Sequence, residues 1–271
     1  MNDKNILFTD MDGTLLLKDS TISNRMRDAL REMTKRGHKL VLTSGRPLPS
    51  ILERIQTLKL DFPGIYVIAN NGGLIYDPES RKNIYAKKLP QDLLSGIIDV
   101  VVRSGIHVHA YTDTEIVGMK EDEELIYYMK RIHMPFIKTD DIGAYLKDGS
   151  YKVQIIHLTD KDRLEALRDE LRKHFDPEVE IFFTNNHYLE VFPKGVSKGK
   201  AILTLTDHLG FDRANTFAAG DAENDISMIK AAATGIAMAN GDEEVKAAAD
   251  VVTKETNDRD GLIEIIDKYF L

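Results

Sequence analysis

Ile6-Leu7-Phe8-Thr9-Asp10-Met11-Asp12-Gly13-Thr14-Leu15 is the stretch that decides the reading of this chain. Three apolar residues and a β-branched one predict a buried strand, and Gly13-Thr14 ends it. Two carboxylates at i and i+2 sit where the strand stops, and open α/β sheets bind ligands at the carboxyl ends of their strands. Burying two like charges costs on the order of several kcal/mol each unless something compensates them. A cation is the simplest compensation, so the stretch predicts a magnesium-assisted phosphoryl-transfer site built on Asp10 and Asp12. Such a site needs a further carboxylate, a hydroxyl and a lysine from elsewhere in the chain.

The flanking pattern is strand, helix, strand, helix, strand. Met26, Ala29, Leu30 and Met33 recur at helical spacing after Ser23, and Gly37 ends that helix. Lys39 to Thr43 is the second strand and closes on Thr43-Ser44-Gly45-Arg46; Ile65 to Ala69 is the third and closes on Asn70-Asn71-Gly72-Gly73. This order predicts a parallel sheet with right-handed crossovers. Near Lys87 the pattern changes. A helix through Leu93, Ile97 and Val101 precedes two strands, Ile106 to Tyr111 and Glu115 to Met119. A helix through Leu164, Leu167 and Leu171 precedes two more, Glu180 to Phe183 and Tyr188 to Phe192. Helix-strand-strand twice predicts a pseudo-duplicated α+β domain with a mostly antiparallel sheet. From Pro193 the parallel pattern returns, with a helix at Lys198 to Leu209 and a strand at Thr216 to Ala219 that ends in Gly220-Asp221. The expected domains are therefore a discontinuous core, residues 1–84 and 192–271, and an insert at residues 85–191.

Composition narrows the function classes. The 271 residues carry 36 basic against 44 acidic side chains, a formal charge of −8 that argues against nonspecific nucleic-acid binding. A local metal and lysine still permit an anionic substrate. There is no cysteine, which excludes disulfides, zinc thiolates and thiol nucleophiles. The first strand starts too early for a signal peptide, and no apolar run reaches the roughly 20 residues of a membrane span. The expectation is a cytoplasmic protein, a monomer or weak homo-oligomer, with no nucleic-acid or membrane partner.

Several residues fit the site. Asp221, Asn224 and Asp225 in Gly220-Asp221-Ala222-Glu223-Asn224-Asp225 add acids at a second strand end. Thr43 and Ser44 suit either a phosphate oxygen or the cap of the next helix. Lys198 lies at a helix start, where the dipole disfavours a cation and an anionic partner would favour it; solvation is the alternative, and Lys194 and Lys200 compete for the role. Asn70-Asn71-Gly72-Gly73 reads as turn chemistry. His107 and His109 share one strand face, more in keeping with a packed or exposed sheet than with a metal site.

Taken together, these residues resemble the haloacid dehalogenase superfamily, in particular its Cof-type phosphatases with an inserted C2B-type cap. Asp10-Met11-Asp12-Gly13-Thr14 is similar to the family's DxDGT motif. Leu40 to Arg46, Lys198 in Val196-Ser197-Lys198-Gly199, and Gly220 to Asp225 are similar to the second, third and fourth motifs. The resemblance implies a Rossmann-like doubly wound core and a Mg²⁺-dependent phosphatase acting on small monoesters, sugar phosphates or related metabolites, through an aspartyl phosphate. It implies that Asp10 is the nucleophile and Asp12 the general acid/base. Asp10, the Asp12 carbonyl and Asp221 would hold the metal, with Asp225 behind them. Met11, Ser44, Gly45, Lys198 and Asn224 would hold the phosphate. A phosphomutase on the same scaffold and a noncatalytic phospho-ligand binder are the alternatives.

Overall fold

The computed structural model describes residues 4–271. In chain order, the first segment comprises β1 (Ile6–Thr9), α1 (Asn24–Lys35), β2 (Lys39–Thr43), α2 (Leu48–Thr57), β3 (Ile65–Ala69), β4 (Leu74–Asp77) and β5 (Lys82–Ala86). The middle segment comprises α3 (Gln91–Ser104), β6 (His107–Tyr111), β7 (Ile116–Gly118), α4 (Glu123–Met129), β8 (Phe136–Lys138), α5 (Ile142–Tyr145), β9 (Val153–Ile156), α6 (Lys161–Phe175), β10 (Val179–Asn185) and β11 (Tyr188–Pro193). The last comprises α7 (Lys198–Leu209), β12 (Thr216–Gly220), α8 (Ile226–Ala231), β13 (Thr234–Ala237), α9 (Glu243–Ala248), β14 (Val251–Val252) and α10 (Ile263–Tyr269).

Chain contacts divide these elements into two compact units. Among the described residues the first holds 4–45, 51–85 and 197–271, and the second holds 46–50 and 86–196. The first unit is built on an eight-stranded sheet of order β14-β13-β12-β1-β2-β3-β4-β5. The strands from β14 to β3 run parallel, and β4 turns back antiparallel to β3. The chain fills this sheet outward from β1 in both directions, so β1 lies at the point where the strand order reverses. All four of its side chains are buried, as a strand covered on both faces requires. Ile6 and Phe8 pack on one face with Ala201, Ile202 and Leu205 of α7 and Met228 of α8. Helix α1 turns Met26, Ala29, Leu30 and Met33 inward and is capped by Ser23, whose Oγ accepts the Met26 amide at 2.9 Å.

The second unit has a six-stranded sheet of order β10-β11-β9-β6-β7-β8, antiparallel except between β7 and β8. Helices α3 and α6 bury Leu94, Ile97, Val101, Leu164, Leu167 and Leu171 against one face of it. The α/β core and the α+β second sheet are those the sequence predicts. Between the two helix-strand-strand units, β8 and α5, of three and four residues, carry no periodicity from which they could be read. A single 3-10 turn over Glu223–Asp225 leads from β12 into α8.

Candidate active site

The site lies within the first unit, at the carboxyl ends of β1, β2 and β12. Parallel pairing sets Thr9 beside Ala219 and beside Leu42, and the Asp10 amide continues the ladder to the Ala219 carbonyl at 2.9 Å. The next residues of the three strands therefore share one end of the sheet: Asp10, Asp221 and Ser44. Carboxylate oxygens of Asp10, Asp221 and Asp225 all lie within 4.8 Å of one another. Gly13 has φ +88°, and any Cβ there would collide with the Asp221 carboxylate, so the turn after Asp12 has to be glycine. Thr14 Oγ1 donates to Asp221 Oδ1 at 2.7 Å, and Asn240 Nδ2 donates to the Gly13 carbonyl at 2.8 Å, holding the turn in place.

Lys198 is the first residue of α7. Its Nζ reaches Asp10 Oδ1 at 2.5 Å and Asp225 Oδ1 at 2.6 Å, and its side chain is wholly buried. The other Asp225 oxygen accepts the amides of Asp221 and Ala222 at 3.0 and 3.1 Å, which folds the 3-10 turn around it. Lys194 and Lys200 do not join this cluster: Lys194 pairs with Glu180 in the second unit, and Lys200 is exposed.

The electrostatics follow from three carboxylates facing one ammonium, an arrangement two negative charges in excess. Burial pushes the Asp10 carboxyl well above the usual carboxylate range; Lys198 opposes the shift, and Asp225 and Asp221 add to it. Burial, with the Asp225 charge behind it, pushes Asp221 up to about 6. Burial disfavours the charged form of Lys198, but Asp10 and Asp225 outweigh it and hold the ammonium firmly protonated. Excess negative charge on oxygen donors, relieved in part by protons, is the donor set that suits a hard divalent cation. Asp12 is half-buried and contributes no carboxylate to the cluster of three.

Ser44 is buried, with its amide bonded to the Ile68 carbonyl at 2.8 Å and its own carbonyl accepting the Asn71 amide at 3.0 Å. Met11 is fully buried beside Asp10. Asn224 Nδ2 donates to Asn71 Oδ1 at 3.1 Å. Asn71 is the residue the sequence leaves hidden. It has φ +53°, its amide group packs against Gly45, and it links the loops after β2, β3 and β12. Its one sequence signal is a doubled Asn before Gly-Gly, which any tight turn also shows. Thr43 Oγ1, at the end of β2, and Asn70 Oδ1, in the turn after β3, are buried without a hydrogen-bond partner among the described residues.

Acids at the ends of the central strand and of its neighbour β12, with a buried lysine at the start of α7, stand at the carboxyl end of an open α/β sheet. The family profile of haloacid dehalogenase-like hydrolases matches residues 7–266, and the chain belongs to that family. A Bacillus subtilis relative, 5-amino-6-(5-phospho-D-ribitylamino)uracil phosphatase YcsE, is 32% identical over 270 residues, covering 99% of this chain and 97% of its own. The crystal structure of a haloacid dehalogenase-like hydrolase from Bacteroides thetaiotaomicron superposes with a TM-score of 0.90 at 30% identity, covering 98% of this chain and all of that one. A Thermotoga maritima crystal structure gives 0.86 at 29% identity, covering 98% of this chain and 97% of that one. No helix among the described residues is long and apolar enough to cross a membrane.

Proposed function

We propose that the chain hydrolyses small phosphate monoesters, sugar phosphates or related metabolites, with Mg²⁺ as its cofactor and Asp10 as its nucleophile. The observation that carries this reading is the Lys198 ammonium held between Asp10 and Asp225 with Asp221 alongside. Asp10, Asp221 and the Asp12 carbonyl would hold the cation, with Asp225 behind them; when bound it supplies charge neutralisation for the phosphoryl oxygens.

The chain's own residues supply the rest. Lys198 neutralises Asp10 and the incoming phosphate together, which lets an anionic nucleophile approach an anionic ester. Asp10 attacks phosphorus in line, and Asp12 gives its proton to the departing alcohol. An aspartyl phosphate on Asp10 results. Asp12, now a base, takes a proton from the water that cleaves it, and Asp10 is released as carboxylate. The amides of Met11 and Gly45, the Ser44 hydroxyl and Asn224 orient the phosphoryl oxygens, with Asn71 bracing Asn224. The second unit acts as the cap that selects the alcohol, and the enzyme works in the cytoplasm. A relative named for a ribitylaminouracil phosphate supports a leaving group rich in hydroxyls.

The test is phosphate release from a panel of metabolite monoesters and p-nitrophenyl phosphate, with magnesium and with EDTA. Magnesium-dependent release is expected. Isomerised hexose phosphate without released phosphate would establish a mutase instead, and binding without turnover a noncatalytic phospho-ligand protein.

A further inference from the structure

Between Thr9 and Asn24 the chain has neither helix nor strand, and this segment of the first unit carries Asp12. Its apolar residues Met11, Leu15, Leu16 and Ile22 are buried and anchor it. Burial is nondirectional, so it holds the segment on the core without fixing how the Asp12 peptide is turned. Within the segment the Leu16 amide donates to the Met11 carbonyl at 2.8 Å, and Asp12 and Leu16 form an isolated parallel bridge.

Two carboxamides grip this turn from outside it. Asn240 Nδ2 donates to the Gly13 carbonyl at 2.8 Å, and Asn257 Nδ2 donates to the Leu16 carbonyl at 2.7 Å. The Asn257 amide donates to Asn240 Oδ1 at 2.9 Å, which joins the two residues into one bridge. It meets the residue that follows Asp12 and the residue paired with Asp12. Asn257 is buried and Asn240 is exposed. The bridge stands on the loop that follows β13. There the Asp242 amide donates to the Asp221 carbonyl at 3.0 Å, and the Ala239 amide donates to Thr253 Oγ1 at 2.9 Å. One frame therefore ties the Asp12 turn to the main chain of Asp221, whose carboxyl feels the Asp12 charge.

Thr14 also links the turn to Asp221, but through a carboxylate whose charge changes with proton and cation. The three bonds of the bridge end on backbone carbonyls or on the other carboxamide, none of which titrates. They hold the turn through those changes, and an apolar pair filling the same space would fix no direction. We propose that Asn240 and Asn257 are positioning residues for Asp12, setting the turn from which its carboxyl meets the leaving alcohol. This rests on the phosphatase reading above, with Asp12 as the acid. In that step the P–O bond breaks, its electron pair stays on the ester oxygen, and the Asp12 proton passes to that oxygen. The alcohol leaves neutral, and Asp12 becomes a carboxylate. An alkyl leaving group depends on this proton. p-Nitrophenolate, whose charge spreads into its nitro group, departs without it. A misaimed Asp12 therefore slows the two esters unequally, whereas general loosening of the site slows both alike.

The test is the ratio of kcat/KM for glycerol 2-phosphate to kcat/KM for p-nitrophenyl phosphate in wild type, Asn257→Leu, Asn240→Ala and Asp12→Asn. Because kcat/KM covers the steps up to alcohol release, hydrolysis of the aspartyl phosphate does not enter. Asp12→Asn is expected to lower the ratio by about 100-fold, the lower end of what a positioned acid supplies. Asn257→Leu should lower it by about 10-fold and the exposed Asn240→Ala by about 3-fold, the range of one hydrogen bond. Hydrogen exchange over residues 11–17 of the metal-free protein should quicken in both bridge variants while β12 stays protected. If Asn257→Leu does not fold, Asn240→Ala decides alone. Bridge variants with an unchanged ratio, where Asp12→Asn lowers it, would overturn the proposal, and so would exchange over residues 11–17 equal to wild type. An unchanged ratio in Asp12→Asn, or a wild type that hydrolyses neither ester, would instead overturn the phosphatase reading. Quickened exchange would then still show that the bridge holds the Asp12 turn.

Discussion

Lys198 Nζ and Asp225 Oδ1 stand 2.6 Å apart with both side chains wholly excluded from solvent, and Asp225 also gathers the Asp221 and Ala222 amides. The pair joins the start of α7 to the turn after β12, so one ion pair fixes both the cation and the loop that carries Asp221. Removing one partner of a buried pair strands the other. Lys198→Met leaves Asp10 and Asp225 facing each other uncompensated and is expected to cost about 3–5 kcal/mol in urea unfolding without metal. A loss below about 1 kcal/mol would mean that water reaches the cluster and the pair contributes little.

Asp10→Asn tests the nucleophile. Burial already favours the uncharged form of this carboxyl, so the neutral amide should be tolerated in the fold. Turnover is expected to fall by about 10⁴-fold or more, with circular dichroism and melting temperature preserved. Measurable phosphate release, once deamidation is excluded by mass spectrometry, would remove Asp10 from the role.

The sheet end and its four loops are legible in the sequence because each lies in one contiguous stretch where an apolar strand runs into small or charged residues. Asp10, Ser44, Lys198 and Asp221 could be marked in this way. What brings them to one place is parallel pairing of β1 with β2 and β12, and alternating strand and helix patterns announce that too. Asn71 was hidden because turn formation and side-chain bridging ask for the same residue. A buried polar row in the second sheet was hidden for another reason. Glu190, Gln154 and His109 become neighbours only through antiparallel pairing across about eighty residues, and each strand alone shows ordinary alternation.

Asn71 should act on substrate binding more than on stability. Its side chain holds Asn224 and packs against Gly45, both assigned to the phosphate. Asn71→Gly keeps the left-handed backbone and deletes only the bridge. KM is expected to rise about tenfold, the loss of one to two hydrogen bonds. A variant that unfolds more easily by several kcal/mol while KM holds would make the bridge structural.

The acid cluster predicts how metal binding changes with pH. Asp221 takes up a proton near pH 6 in the metal-free protein, through burial and the Asp225 charge, and the Asp10 carboxyl is shifted the same way. Both carboxyls hold protons more tightly folded than unfolded. Metal-free stability from Asp221 is therefore present below the unfolded carboxylate value near 4 and is lost as pH rises through about 6, and that from Asp10 is lost in the same direction. Magnesium must displace those protons, so its affinity should fall on acidification below about pH 6. The gain in melting temperature from magnesium over EDTA is expected to be small near pH 5 and to grow through about pH 6 to a plateau by about pH 8. A gain that does not change with pH across that range would show that the cation binds away from Asp221 and Asp10.

His107 and His109 set an opposite acid limit in the second unit. Burial lowers both, with Asp122 opposing the shift at His107 and the His107 and Lys152 charges adding to it at His109. The groups facing them are Asp122, Glu124, Lys120, Lys152, Tyr111 and Tyr128, and only Asp122 bonds an imidazole directly as an acid. The contacts run in one line from Asp122 through His107 and His109 to Tyr111, whose hydroxyl donates to Tyr128. A second proton on His109 would place a positive charge in a fully buried position facing Lys152. The unfolded rings bind protons near pH 6.5 and the folded ones lower, so stability from this line of contacts is complete above about pH 6.5 and is lost as pH falls from there. Hydrogen exchange at α4 and β6 is expected to accelerate between about pH 6.5 and pH 5 while β1 and β12 stay protected. In His109→Gln, which keeps a donor and an acceptor but cannot take up the proton, that acceleration should be lost. If the variant retains the full acid response, the sensitivity arises elsewhere than in this pair.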